Sequence, residues 1–266
     1  MISVLDSGQL DYATGLRLQQ RLVGLRKQGR IGDVLVLIEH PPVVTLGRNA
    51  KAANILASPE LLARRGVEVF ECDRGGDVTF HGPGQLVAYP IFDLHGFPSA
   101  GGHRRTMGVV EFVRSLEEVL IRTCAEFGIA AKRIPGLTGV WTLGQKSSAG
   151  GLSEEAKIAA LGVHVASGIT SHGIALNVNT DLSFFDLIIP CGIRAKPVTS
   201  MDRELARVLP LTDVAHALSR SFGTVFNSQV LWLDSLDALL GTTLGIPLKV
   251  PENLRRIRGE DESSPA

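Results

Sequence analysis

The chain has 266 residues, 44% apolar and 20% charged, and its 27 Lys and Arg against 27 Asp and Glu leave a formal net charge of zero. A chain of this size and balance buries a core without metal or disulfide staples, and it is neither disordered nor basic in the manner of a strong nucleic-acid binder. Three cysteines with no Cys-x-x-Cys exclude a disulfide framework and suggest a reducing cytoplasm, and no apolar stretch approaches the roughly 20 residues of a membrane span.

In chain order, the opening MISVLDSGQLDYATG lacks the basic start and apolar run of a signal peptide. A first helix is predicted over Asp11 to Leu25, with Asp11 as its cap. VLVLIEH (34–40) reads as a buried strand, Pro41 and Pro42 interrupt it, and VVTLG (43–47) resumes the extended reading. Ser58-Pro59-Glu60 starts a helix, and VEVFE (67–71) alternates as a strand does. RGGDVTFHGPGQLVAYPIFDL (74–94) reads as strand, glycine-rich turn, strand. Thr106 to Phe127 is the clearest helix, with an apolar stripe that includes Cys124 and a stop at Gly128. Strands are expected at 139–143, 157–165 and 174–178, an exposed polar hairpin loop at 144–155, and a helix over Thr212 to Phe226.

Mixing of strands and helices without regular βαβ alternation predicts an α+β fold, a mixed and largely antiparallel sheet flanked by helices. The expected organisation is one domain over 1–205, a C-terminal helical extension over 206–258 and a disordered tail at 259–266.

No P-loop, dinucleotide-binding Gly-x-Gly-x-x-Gly, His-Glu-x-x-His or Gly-x-Ser-x-Gly is present. Cys124, on the helix stripe, reads as a small core hydrophobe, and Cys72 lies two residues before an Arg-Gly-Gly turn. Cys191, between Pro190 and Gly192, is either a presented nucleophile or a structural turn cysteine. A nucleophilic thiol needs an activating neighbour, because the thiolate is the attacking form. Lys157, at the polar start of KIAALGV, His81 in FHGPG and His172 in SHG are the candidates, each with an ordinary structural alternative. Arg74-Gly75-Gly76 sets a cation beside bare amides and suits a carbonyl or anion.

Together the segments RGGDVTFHGPGQLVAYPIFDL, GVW, KIAALGV and SHGIALNVNTDLSFFDLIIPCGI, in that order, resemble octanoyltransferases of the lipoyl (octanoyl) transfer family, relatives of lipoate- and biotin-protein ligases. The resemblance runs from about residue 5 to about residue 200. It implies a ligase-like catalytic domain over 1–205 that moves an octanoyl group from octanoyl-acyl carrier protein to a lysine of a lipoyl domain, with no cofactor and no metal. The implied acceptors are the lipoyl domains of 2-oxoacid dehydrogenase E2 subunits and the glycine cleavage H protein. It matches the family's thioester-forming cysteine to Cys191 and its catalytic lysine to Lys157, with Lys146 a weaker competitor in a loop longer than the compact family version. Implied substrate-binding residues are Arg74, Gly75, Gly76, Asp77, Val78, Thr79, Phe80 and His81, then Ala160, Leu161 and Gly162, then Gly173, Ile174 and Ala175.

Three features follow as expectations. Backbone amides near Leu161 or Gly192 would stabilise an oxyanion. Gly75, Gly76, Gly162 and Gly173 would leave room for the acyl chain. Arg48 with Lys51, Arg64 with Arg65, or the cluster 103–105 would meet an acidic carrier protein. The competing readings are an ATP-dependent lipoate or biotin ligase on the same fold, a non-catalytic carrier-binding protein, and a cysteine hydrolase using His81 or His172.

Overall fold

The computed structural model describes residues 1–99, 106–143, 155–193, 196–235 and 238–239. Most of the expected loop at 144–155 with Lys146, the cluster 103–105 and the expected tail at 259–266 lie outside the described residues.

The chain begins with a strand that the sequence reading does not anticipate: β1 (Ile2–Gln9) buries Ile2, Val4 and Leu5. Asp11 caps α1 (Tyr12–Lys27), its carboxylate accepting from Thr14 N at 2.8 Å, and Leu18, Leu22 and Leu25 form the buried stripe. β2 (Asp33–Glu39) and β3 (Val43–Leu46) flank the prolines as expected. Ser58 caps α2 (Pro59–Arg64) through Leu61 N, and β4 (Glu68–Glu71) follows. The glycine-rich segment is strand, turn, strand, yet β5 (Val78–His81) and β6 (Gln85–Ile91) belong to different sheets.

α3 (Val109–Glu126) buries Phe112, Leu116, Val119, Leu120 and Cys124. Then come β7 (Ala131–Ile134), β8 (Leu137–Thr142), β9 (Lys157–Ala166) and β10 (Ile169–Asn177). The short α4 (Met201–Leu205) precedes α5 (Leu211–Val225). The described part of the expected C-terminal helical extension holds α5 and then a strand, β11 (Val230–Leu233).

The main sheet has eight strands in the order β11-β1-β2-β6-β10-β9-β8-β7. Pairing is parallel at β11-β1-β2 and antiparallel from β2 onward, which is the mixed, largely antiparallel sheet anticipated. α1 covers one face, packing Leu18, Leu22 and Leu25 against Val36, Ile38, Val87 and Tyr89. α3 and α5 share the other face, where Phe112, Leu116, Leu218 and Phe222 meet Leu35, Ala88 and Leu176. α5 therefore lies in the same core as the rest, and β11 continues the main sheet beside β1.

A second sheet, β4-β3-β5, packs Val44, Val78 and Phe80 over Phe185, Leu187 and Ile188. Its role is positional: it carries the glycine-rich loop across β9 and the segment 188–193 against β5. No helix among the described residues is long and apolar enough to cross a membrane.

Candidate active site

Lys157 opens β9 but is not a solvated strand end. It is 5% exposed, and its backbone is locked by Lys157 N donating to Pro197 O at 2.8 Å and Thr199 N donating to Lys157 O at 2.9 Å. Its Nζ sits 5.2 Å from the centroid of the Trp141 ring and 3.2 Å from Cys191 Sγ. The stem passes over Gly139, whose φ is +133°. A Cβ there would stand 2.4 Å from Lys157 Cε and 3.0 Å from Ala159 O. Gly139 is thus the space through which the lysine reaches the thiol, a role the sequence reading did not assign although GVW was among its quoted segments.

Cys191 sits in a tight turn, Pro190-Cys191-Gly192, in the left-handed region at φ 56°, ψ 20°. That conformation costs a non-glycine residue roughly 1–2 kcal/mol and needs the surroundings to hold it. Gly192 N donates to Ile189 O at 3.1 Å and Ile193 N to Pro190 O at 3.0 Å. The Gly192 amide is therefore engaged in closing the turn, which removes it as an oxyanion donor. Leu161 stays a candidate: Val163 O accepts from Gly75 N at 3.0 Å, and strand alternation turns the Leu161 N–H to that same edge, toward the glycine-rich loop.

Cys191 stands at a cleft with about 450 Å³ of empty space, its open mouth included. Of the expected binding residues, Arg74, Gly76, Asp77, Thr79, His81, Ala160, Leu161, Gly162, Gly173, Ile174 and Ala175 line it, together with Val87. Val78 and Phe80 do not. The alternation of β5 sends them into the small sheet's core, 0% and 1% exposed, while Thr79 and His81 face the cleft. Gly75 also stands outside the lining, bonded to β9. Gly162 and Gly173 make room for backbone rather than for a ligand: a Cβ on Gly162 would meet Gly75 O at 2.7 Å, and one on Gly173 would meet Ala88 O at 2.1 Å.

Arg74 is buried, and its guanidinium is consumed locally, donating from Nη2 to Thr45 O at 2.6 Å and from Nη1 to Gly75 O at 3.1 Å. It braces the loop rather than offering a free cation. Opposite, Tyr12, His40, His81 and Tyr89 form a buried cluster. His81 Nδ1 donates to Gln85 Oε1 at 2.7 Å, because the Gln85 amide nitrogen is spent on Phe80 O and Asn177 Oδ1. Burial holds His81 down to about 3 and His40 to about 4, so both are neutral near pH 7. His172, with φ 55°, bonds Asp73 Oδ1 at 2.7 Å, and burial pushes it below the usual imidazole range.

The group that meets the thiol is a lysine, which removes the motive for a Cys–His dyad. Cys124 is inert by the same physics, since burial pushes its thiol up to about 12.

Comparison with known proteins agrees with this geometry. The family model described as the lipoyl protein ligase A/B catalytic domain matches residues 11–223. The octanoyltransferase of Koribacter versatilis (strain Ellin345) is 55% identical, with 98% of each chain covered. That of Acidobacterium capsulatum is 56% identical over 90% of this chain and 96% of its own. Among solved structures, a bi-partite lipoate protein ligase from Thermoplasma acidophilum superposes with a TM-score of 0.63 at 15% identity, covering 97% of this chain and 90% of that one, a likeness of fold.

Proposed function

The chain belongs to the lipoyl protein ligase A/B catalytic-domain family, among its octanoyltransferases, and on that premise we propose that Cys191 takes up an octanoyl group as a thioester and yields it to a lysine of a lipoyl domain. The observation that carries this is the 3.2 Å approach of Lys157 Nζ to Cys191 Sγ at one side of a mostly apolar cleft.

The donor is octanoyl-acyl carrier protein, itself a thioester. Lys157 Nζ takes the proton of Cys191, and the thiolate attacks the octanoyl carbonyl carbon. The bond from that carbon to the carrier sulfur breaks, and the carrier thiol leaves with the proton from Lys157. Thioester exchange is close to isoenergetic, so no nucleotide is needed. The lipoyl lysine amine then attacks the acyl-enzyme, the amide bond forms, and the Cys191 sulfur leaves, with Lys157 receiving the amine's proton. The Leu161 amide donates to the oxyanion of both steps.

Val87, Leu161, Ile174 and Ala175 supply the apolar surface for the chain. Burying about six methylenes at ~0.8 kcal/mol each is worth about 5 kcal/mol. Thr79, His81 and Asp77 are the polar groups on the same wall. Acceptors are lipoyl domains, those of 2-oxoacid dehydrogenase E2 subunits and the glycine cleavage H protein. The reaction belongs to the cytoplasm, where an unpaired nucleophilic thiol stays reduced.

The test is transfer from octanoyl-carrier protein to a lipoyl domain in ATP-free buffer. Octanoyl amide on the acceptor is expected. A strict ATP requirement with free octanoate would return the reading to a ligase, and release of free octanoate from the carrier with no amide would return it to a hydrolase.

A further inference from the structure

The turn that presents Cys191 is held from one side by a residue outside the motifs quoted above. Asn54 accepts from Ile189 N through its backbone carbonyl at 2.7 Å, just before Pro190 and Cys191. Its side-chain Nδ2 lies 2.6 Å from Asp77 Oδ2, and since a carboxylate only accepts, the amide donates. The other oxygen, Asp77 Oδ1, accepts from Lys51 N at 3.1 Å and Val78 N at 2.7 Å. Asp77 presses on the far side of the turn: a Cβ on Gly192 would stand 2.8 Å from Asp77 Oδ2 and 3.5 Å from Asn54 Nδ2. Around this clip the chain pairs again, Ile55 bridging Ile188 and Leu56 N and Ala57 N donating to Leu187 O.

We propose that Asn54 is a positioning residue for the nucleophile, joining the entry of the Cys191 turn to Asp77 so that the left-handed Cys191 keeps its thiol at Lys157. Two physical effects meet in this one side chain. The clip offsets the backbone strain of Cys191, which a free turn would relax by moving Sγ away from Nζ. It also engages the carboxylate of Asp77, which lines the same cleft as the thiol. Lys157 meets the thiol, and the other charged or titratable groups that line its cleft are Arg74, His81, His172, Tyr12 and Tyr89. Arg74 is tied to Thr45, and His81 is neutral near pH 7.

The experiment is the pH dependence of iodoacetamide labelling of Cys191, read on its own peptide by mass spectrometry, in the full chain. Asn54→Asp sets two carboxylates face to face. It should raise the labelling midpoint by about one pH unit and slow labelling at pH 7 about tenfold. Exchanging the pair, Asn54→Asp with Asp77→Asn, restores one donor facing one acceptor at equal net charge, with the new amide's carbonyl oxygen left for Lys51 N and Val78 N. Labelling should return to within about threefold of the parent. Asn54→Ala, which introduces no new charge, should still raise the midpoint, and it keeps the test open if the aspartate variant does not fold. The proposal is overturned if Asn54→Ala lowers the melting temperature while the labelling profile stays that of the parent, or if the exchanged pair labels as slowly as Asn54→Asp alone. It rests on Cys191 as nucleophile only for its effect on turnover, because alkylation reads the thiol whether or not a thioester forms. A thiol that responds as described but never takes up octanoate would end the proposed function and leave this inference standing.

Discussion

Lys157 Nζ stands 3.2 Å from Cys191 Sγ, and the proposed chemistry begins at that contact. Lys157→Ala should move the midpoint of Cys191 labelling to higher pH and slow acylation by about a hundredfold or more. A variant that labels and acylates like the parent would remove Lys157 from the reaction. Gly139 gives an independent check, because it is not part of the cleft lining. Gly139→Ala puts a Cβ where the lysine stem runs, at a φ that favours glycine, and should cut acylation at least tenfold by displacing Nζ. An active Gly139→Ala enzyme would mean that the stem has another route. The sequence made the cysteine legible, through Pro-Cys-Gly, and the lysine legible through the motif after it. It did not make their contact legible: 34 residues separate them, and Pro197 and Thr199, which hold the Lys157 backbone, lie far from its own motif.

Among the strands and helices, those that read clearly had apolar runs or clean alternation, β2 and β9 among them. β1 escaped because Asp6, Ser7 and Gln9 at its end look like loop, and its pairing is parallel to β2 and β11, partners distant in sequence. β7 has four half-buried residues and offers no pattern to find. The glycine-rich segment read correctly as strand, turn, strand, but whether its strands pair with each other is decided by partners elsewhere, β3 for one and β2 and β10 for the other. That also explains Val78 and Phe80: the motif is continuous, yet a strand buries alternate residues on opposite faces. On α3, Cys124 is core. Cys124→Ala should cost about 1 kcal/mol of stability, measured by denaturant unfolding, with turnover unchanged. Loss of turnover at parental stability would contradict that reading.

Across the fold, buried neutral histidines make stability depend on pH. His40 and His81 have folded values of about 4 and about 3, well below the ordinary histidine near 6.5. Between those limits the unfolded chain binds protons that the folded chain does not, so stability is full above about pH 6.5 and falls as pH falls, by about 2 kcal/mol for each histidine at pH 5. His40→Asn should shallow that slope, and an unchanged slope would assign it to other groups. The net charge is zero, so the proposed acidic carrier must be met by a local patch. Arg48 and Lys51 are exposed on the segment that wraps the loop at 74–77, through Arg48 N to Arg74 O and Asn49 N to Gly76 O, with Arg48 Nη2 against the His164 ring, and Arg65 meets Ser183 and the Phe184 ring. Reversing Arg48 and Lys51 should raise KM for the carrier and weaken its salt dependence while leaving labelling of Cys191 intact. Unchanged KM would move the carrier elsewhere. Whether Cys191 holds an octanoyl group is read from the intact mass after mixing the protein with octanoyl-carrier protein and no acceptor. One octanoyl adduct, labile to hydroxylamine, absent from Cys191→Ser and lost on adding a lipoyl domain, is the predicted result. Transfer to the lipoyl domain by Cys191→Ser at the parental rate, with no adduct formed, would contradict it.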